Sequence, residues 1–294
     1  MSRKNKKQVL LDIDSLNISN TDVDDVKECL PSEFNVLEVR TVSGSTFKNL
    51  LDTLKAVLTE ANFIFTEKGL KVISVDTKKH AVVHLFMEAN SFDFYYCGEK
   101  KVMIGIDIEL LHRTIKSNKN NDMMCLCVKK DNRHVLDILF ENAQKGTKIL
   151  DQLSLKSIRE TVITEQIKYP LPTELDSICF QNICREMSSF GATLVKIETV
   201  DNELIFSNKD GEPKRRVSVQ IKDTGHTNQN SKKTVSQKGV FLLNYLKPFT
   251  KAANLSQKVR IYLKSNEPLT CEYSVDNLGV LKYLLSPEEQ EDDE

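Results

Sequence analysis

Lys48 and Lys55 lie seven residues apart in a stretch whose apolar residues recur at helical spacing, so both ammonium groups fall on one side of one helix. Three further stretches with helical periodicity carry a similar side: His112, Arg113 and Lys116; Gln181, Asn182 and Arg185; Asn244, Lys247 and Lys251. Positive charges spaced along helix surfaces, with no aromatic residues between them, suit a phosphate backbone followed by charge without reading bases. They do not suit unpaired bases, which need stacking platforms. Solvated helices carry lysine in any case, and Lys48 with Asp52 makes an ordinary i,i+4 pair. What separates this chain from that bland case is that all four faces lean basic while the net charge is −1.

Covalent chemistry finds no foothold. The sequence holds no phosphate-cradling Gly-rich loop, no GxSxG, no HExxH and no DxDxDG. The five histidines are scattered, and His80 with His84 makes a weak metal pair at best. The expectation is therefore no catalytic residue, no metal and no cofactor; an enzyme of unrecognised type would need a concave site of titrating groups. The seven cysteines include no CxxC. Cys125 and Cys127 sit at strand spacing and Cys179 and Cys184 within a helical pattern, which reads as thiols in a reducing compartment. No apolar run reaches the ~18 residues of a membrane span. Asp12 and Asp14 interrupt Val9-Leu10-Leu11 too early for a signal peptide. An intracellular soluble protein with no membrane partner is expected.

The elements that position these groups come in two copies. At one constant shift Phe47 meets Phe180, Leu50 meets Ile183 and Leu54 meets Met187, and Gly69-Leu70 meets Asn202-Glu203 where a turn opens a strand. Lys116 recurs as Lys251 at nearly the same shift. A repeat this long is one folded unit used twice. The helices are expected to bury Phe47, Leu50, Leu51, Leu54 and Val57; Ile108, Leu111 and Ile115; Phe180, Ile183, Cys184 and Met187; and Leu243 and Leu246. Strands are read at Met123–Val128, Val135–Phe140, Val217–Ile221 and Val259–Leu263. The result is an α+β class with two repeats, each mainly antiparallel sheet with two helices on one face. The boundaries read as an N-terminal extension over 1–33, a first domain over 34–154, a connector over 155–169, a second domain over 170–287 and an acidic tail over 288–294. The extension starts basic (Arg3, Lys4, Lys6, Lys7), a cluster that could serve in nuclear localisation, and turns acidic (Asp22, Asp24, Asp25, Glu28). The polar stretch 223–239 reads as a long loop.

Several segments closely resemble the eukaryotic sliding clamp, proliferating cell nuclear antigen. They are Glu267-Pro268-Leu269-Thr270-Cys271-Glu272-Tyr273, Leu278-Gly279-Val280-Leu281-Lys282-Tyr283-Leu284-Leu285-Ser286-Pro287, Tyr245-Leu246-Lys247-Pro248-Phe249-Thr250-Lys251-Ala252 and Ile183-Cys184-Arg185-Glu186-Met187-Ser188-Ser189-Phe190-Gly191. The match is collinear from about Leu37 to Pro287. The resemblance implies a DNA clamp fold closed head to tail into a homotrimeric ring, with helices lining a hole for double-stranded DNA. Lys48, Lys55, Arg113, Lys116, Arg185 and Lys251 then fall at inward basic positions, and Lys247 adds a charge without a clear family counterpart. A polymerase processivity factor is implied, which also docks replication and repair proteins through a short hydrophobic-aromatic peptide and is opened by a clamp loader. The partner pocket would be formed by Val75, His80, Ala81, Val83, Val162, Ile163, Pro268, Leu284, Ser286 and Pro287. The subunit interface would pair Ile149 and Leu153 with Val217, Val219 and Ile221. The location implied is the nucleus, or a cytoplasmic replication site for a viral member.

Departures from the family pattern accompany it. Asn182 and Asn244 stand at usually basic positions, Leu284 at a usually aromatic one, and Pro248 inside the fourth helix predicts a kink. The rival expectation keeps the fold but not the homotrimer: a clamp-like processivity or transcription accessory factor acting as monomer, dimer or hetero-ring subunit, binding DNA by charge.

Overall fold

The computed structural model describes residues 32–117, 123–142, 144–161, 167–221 and 236–288. The first half runs β1 (Asn35–Thr41), α1 (Gly44–Leu54), β2 (Glu60–Thr66), β3 (Gly69–Val75), β4 (Ala81–Glu88), β5 (Phe94–Cys97), β6 (Val102–Asp107), α2 (Ile108–Ser117), β7 (Met123–Lys129), β8 (Val135–Asn142) and β9 (Thr147–Ser154). The second half repeats this order as β10 (Thr173–Asp176), α3 (Ser177–Ser189), β11 (Leu194–Val200), β12 (Glu203–Asn208), β13 (Arg216–Gln220), β14 (Gln237–Leu242), α4 (Leu243–Phe249), β15 (Lys258–Tyr262), β16 (Leu269–Val275) and β17 (Gly279–Leu285). Among the described residues only β5 lacks a counterpart.

The helices form where the apolar stripe is read and stop for local reasons. α1 buries Phe47, Leu50, Leu51 and Leu54 but ends there, so Val57 lies beyond it and is only half-buried. α2 opens where the Asp107 carboxylate accepts from the Leu110 N–H at 3.0 Å, and α3 where Asp176 accepts from the Cys179 N–H at 2.9 Å. Pro248 sits inside α4, which ends one residue later and tightens into a 3-10 turn over Thr250–Asn254. Proline has no N–H for the α ladder and crowds the carbonyl four residues back, so the expected kink is a change of helix type. Lys251 accordingly rides on the 3-10 turn and not on the α-helix itself.

Three antiparallel sheets carry the helices, in strand orders β5-β1-β7-β8-β9, β10-β15-β16-β17-β4-β3-β2-β6 and β13-β12-β11-β14. The eight-stranded sheet joins four strands of the second repeat to four of the first through β17 and β4, registered from Gly279↔Met87 to Leu285↔Ala81. Period-two alternation decides which side chains face inward: on β4, Ala81, Val83, Leu85 and Met87 are buried and their neighbours are not. The β2–β3 turn needs Gly69, whose φ is 137° and where a Cβ would meet the Met87 carbonyl oxygen at 2.0 Å. In the second repeat the positive φ falls on Asp201 at 51°, a residue type that tolerates it. Buried side chains of both repeats form one continuous core, in which the Phe249 and Tyr283 rings stack 4.4 Å apart. Burying each such ring contributes about 1.5–3 kcal/mol.

Candidate nucleic-acid interface and partner pocket

α1 packs on α2, α3 packs on α4 and on the 3-10 turn, and that turn reaches α1, so the helices of both repeats form one layer. Their apolar stripes face the sheets. On the other side Arg113, Lys116, Arg185, Lys247 and Lys251 are exposed, and Lys48 and Lys55 are half-exposed. Lys247 Nζ donates to Ser188 Oγ at 2.9 Å and Arg185 Nη2 to Gln181 Oε1 at 3.3 Å, both neutral acceptors. Among the described residues these five exposed cations make no ion pair. Cations on the outer sheet surfaces differ: Lys156 pairs with Asp107 and Glu60, Lys258 with Glu174, Lys282 with Glu272 and Lys129 with Asp137. Acids thus offset the sheet cations, whereas most of the helical layer keeps its positive field.

His112 corrects an expectation. Read as part of the exposed face, it is 4% exposed and wedged between α1 and α2. Its Nδ1 lies 3.3 Å from Lys55 Nζ and its Nε2 3.4 Å from Asp52 Oδ1, an arrangement that suits a neutral ring with the proton on Nε2. Burial pushes its pKa down, the Lys55 charge adds to this, Asp52 opposes it, and Lys116 and Lys48 push the same way as Lys55. Three of the predicted basic residues therefore act on one point. Asp52 also lies 3.4 Å from Lys55, so the i,i+3 pair forms alongside any contact to Lys48.

Two sheets end on strands with an open outer edge among the described residues, β9 on the five-stranded sheet and β13 on the four-stranded one. Ile149 is exposed at the start of β9, while Val217, Val219 and Ile221 are half-buried against the core. Leu153, at 4% exposed, packs its side chain in the core, and its backbone belongs to the β9 edge.

Of the predicted pocket residues, Val75 and Leu284 lie on the outer face of the eight-stranded sheet, with His80, Ser286 and Pro287 at its edge. Val75 lies opposite Val82, and Val82 opposite Leu284, making one half-buried apolar row across β3, β4 and β17. Ala81 and Val83 do not line this surface. Both are 0% exposed and point into the core, and Val82, between them, is the residue that faces out. The β4 alternation with Leu85 and Met87 is the signal that finds it. His80 packs its ring 5.4 Å from Tyr245, and its carbonyl accepts from the Ser286 N–H at 3.0 Å, which places Pro287 beside it. Tyr245 donates to Asp76 across the repeats at 2.9 Å. Burial of Asp76 works against its ionisation, but the Ala81 and Lys78 N–H groups and the Tyr245 hydroxyl outweigh it and hold the carboxyl below its ordinary range.

The described ends of the connector attach to this sheet. Lys156 bridges to Gly105, where a Cβ would sit 2.1 Å from the Lys156 carbonyl oxygen, so only glycine admits the approach. Asn62 Nδ2 donates to the carbonyls of Ile158 at 3.0 Å and Arg159 at 3.3 Å. At its far end Tyr169 donates to the Pro268 carbonyl at 2.7 Å and packs on Tyr262. A cleft of about 190 Å³ opens beneath it, lined by Val57, Leu58, Val75, Asp76, Ile158 and Thr161 among others. Val162 and Ile163 lie outside the described residues.

Two copies of one strand–helix–sheet unit, a shared helical layer and an open strand edge on each repeat define the sliding-clamp class of fold. Residues 36–162 match the family described as proliferating cell nuclear antigen, N-terminal domain, and residues 163–288 its C-terminal domain. The chain belongs to the proliferating cell nuclear antigen family. It is 28% identical over 261 residues to "Probable DNA polymerase sliding clamp 1" of Paramecium bursaria Chlorella virus 1, a match covering 86% of this chain and 97% of that protein. Its fold matches the crystal structure of proliferating cellular nuclear antigen from Entamoeba histolytica with a TM-score of 0.76 at 22% identity, covering 87% of this chain and all of that one. Among the described residues no helix is long and apolar enough to cross a membrane.

Proposed function

We propose that this chain is a non-enzymatic DNA sliding clamp, a processivity factor that encloses duplex DNA and tethers a polymerase and other replication and repair proteins to it. The observation that carries the reading is the helical layer, where among the described residues Arg113, Lys116, Arg185, Lys247 and Lys251 make no ion pair, while Lys129, Lys156, Lys258 and Lys282 on the outer sheets do. Such a face attracts phosphates weakly and without register, which holds a duplex yet lets it slide.

Assembly follows from the internal repeat. Within the chain, the last strand of the second repeat (β17) pairs with the fourth strand of the first (β4). The counterparts of these two strands are β9 and β13, each a terminal strand of its sheet. Pairing β9 of one copy with β13 of the next would repeat the internal junction between chains, which is a heterologous contact that closes when its rotation allows. It would also cover edges that otherwise invite aggregation. Three copies, as the family resemblance implies, make the ring. The apolar row Val75–Val82–Leu284, flanked by His80, Pro268, Ser286 and Pro287, is the place for a partner peptide, with the connector as its lid.

Light scattering coupled to size exclusion tests the assembly, with three times 33.5 kDa expected to hold on dilution. Retention on DNA tests the enclosure: loaded clamp should persist on circles and run off linear ends. A stable monomer whose binding ignores DNA ends would overturn the ring and leave an open, charge-held binder or a hetero-ring subunit.

A further inference from the structure

Strand register lays out the outer face of the eight-stranded sheet in rows. Two residues along each strand from the Val75–Val82–Leu284 row, His84 of β4 lies opposite Lys282 of β17, and Lys282 opposite Glu272 of β16. Two residues further again the face turns apolar. Met103 lies opposite Ile64, Ile64 opposite Lys71, Lys71 opposite Phe86 and Phe86 opposite Val280, across β6, β2, β3, β4 and β17. At ~3.4 Å per residue this third row runs about 13 Å from the first. Met103, at its end, is 42% exposed. Ile64, Phe86 and Val280 floor a groove of about 520 Å³, whose sides are Lys68, Lys71, His84 and Lys282. Apolar side chains gathered in a concavity with a polar rim mark a binding surface.

The charge of that rim has one sign. Among the described residues Glu272 is the single carboxylate lining the groove, and it already accepts from Lys282 at 2.8 Å and Arg260 at 3.1 Å. Lys68 and Lys71 make no ion pair among the described residues. Burial pushes the His84 pKa down, and the Lys71 and Lys282 charges push it the same way. The ring is therefore neutral at pH 7, and the positive field here belongs to the lysines. A small anion would use the lysines and leave the apolar floor wet. A phosphate backbone likewise gains nothing from Ile64, Phe86 and Val280. What uses both features is a large apolar side chain set on the floor, with carboxylates beside it reaching Lys68 and Lys71.

We propose that this groove binds a segment of a partner protein in which one large apolar side chain is flanked by acidic residues. It is a second site, divided from the Val75–Val82–Leu284 row by His84 and Lys282. Fluorescence anisotropy of a labelled peptide carrying one phenylalanine between glutamates, titrated with the full chain, tests this. Binding should weaken at least about tenfold in Lys68→Glu/Lys71→Glu, and by a similar factor when serine replaces the phenylalanine of the peptide. The same variant should bind a peptide with lysines in place of the glutamates better than the parent does, a gain that a misfolded chain would not show. Raising salt should weaken both matched pairs. Equal binding by parent and variant, or none by the parent, would overturn the proposal. So would indifference to the phenylalanine, which would leave a bare anion patch. Displacement of the peptide by a short DNA duplex would overturn it too, assigning the face to nucleic acid.

Discussion

Lys116 and Lys251 occupy matching positions in the two repeats, are exposed, and sit outside the core, so replacing both with alanine alters charge with little effect on packing. On duplex DNA each neutralised phosphate contributes about −0.9 to the slope of log K against log salt. Removing two contacts should flatten that slope by about 1.8. Over a fourfold rise in salt, from about 50 to 200 mM, the variant should therefore lose about twelvefold less affinity than the parent. Anisotropy of a short labelled duplex, titrated across that range, measures it. The matched control is Lys258→Ala/Lys282→Ala on the outer sheet, where both lysines are already paired with glutamates. If the control flattens the slope as much as the helix pair, or the helix pair leaves it unchanged, the helical layer is not the DNA face.

Ile149→Lys places a charge on the open edge of β9 and should shift the mass toward monomer; an intact trimer would remove β9 from the interface. Gly105→Ala drives a methyl into the Lys156 carbonyl and should cost about 1–3 kcal/mol. Its hydrogen exchange should rise over residues 155–160, and unaltered protection there would show that the connector is not held at this point. His112 has a folded-state pKa depressed below its ordinary 6.5, so the fold favours the neutral ring. Its contribution is complete above about pH 6.5 and is lost as pH falls through the lower folded value. Urea unfolding at pH 7.5 and 5.5 should show a smaller difference in His112→Asn than in the parent, and an equal difference would assign the acid sensitivity elsewhere.

The helices were legible because their stripes are long: Phe180, Ile183, Cys184 and Met187 fix α3 from spacing alone, and the shift onto Phe47, Leu50 and Leu54 fixes its twin. The strand at Met123–Val128 was readable from its apolar run. Errors arose where a side chain's direction depends on a partner distant in sequence. Ala81 and Val83 are the exception: the alternation with Leu85 and Met87 along β4 already turns both inward and leaves Val82 facing out. His112 looks exposed until α1 lies across it with Asp52 and Lys55. That Leu153 also reaches the core shows only in the packing of β8 and β9. The connector's attachment could not be read at all, since it rests on a missing side chain at Gly105 and on the carbonyls that Asn62 finds there.

The seam between β17 and β4 makes the junction between repeats as stiff as a sheet interior, reinforced by Tyr245 on Asp76 and by Thr46 Oγ1 on Asp276 at 2.7 Å. The two repeats of one chain are thus joined by a continuous ladder of backbone hydrogen bonds. If copies join through the β9 and β13 edges as proposed, the joint between chains would be a second ladder of the same kind, and opening the assembly would mean unzipping it.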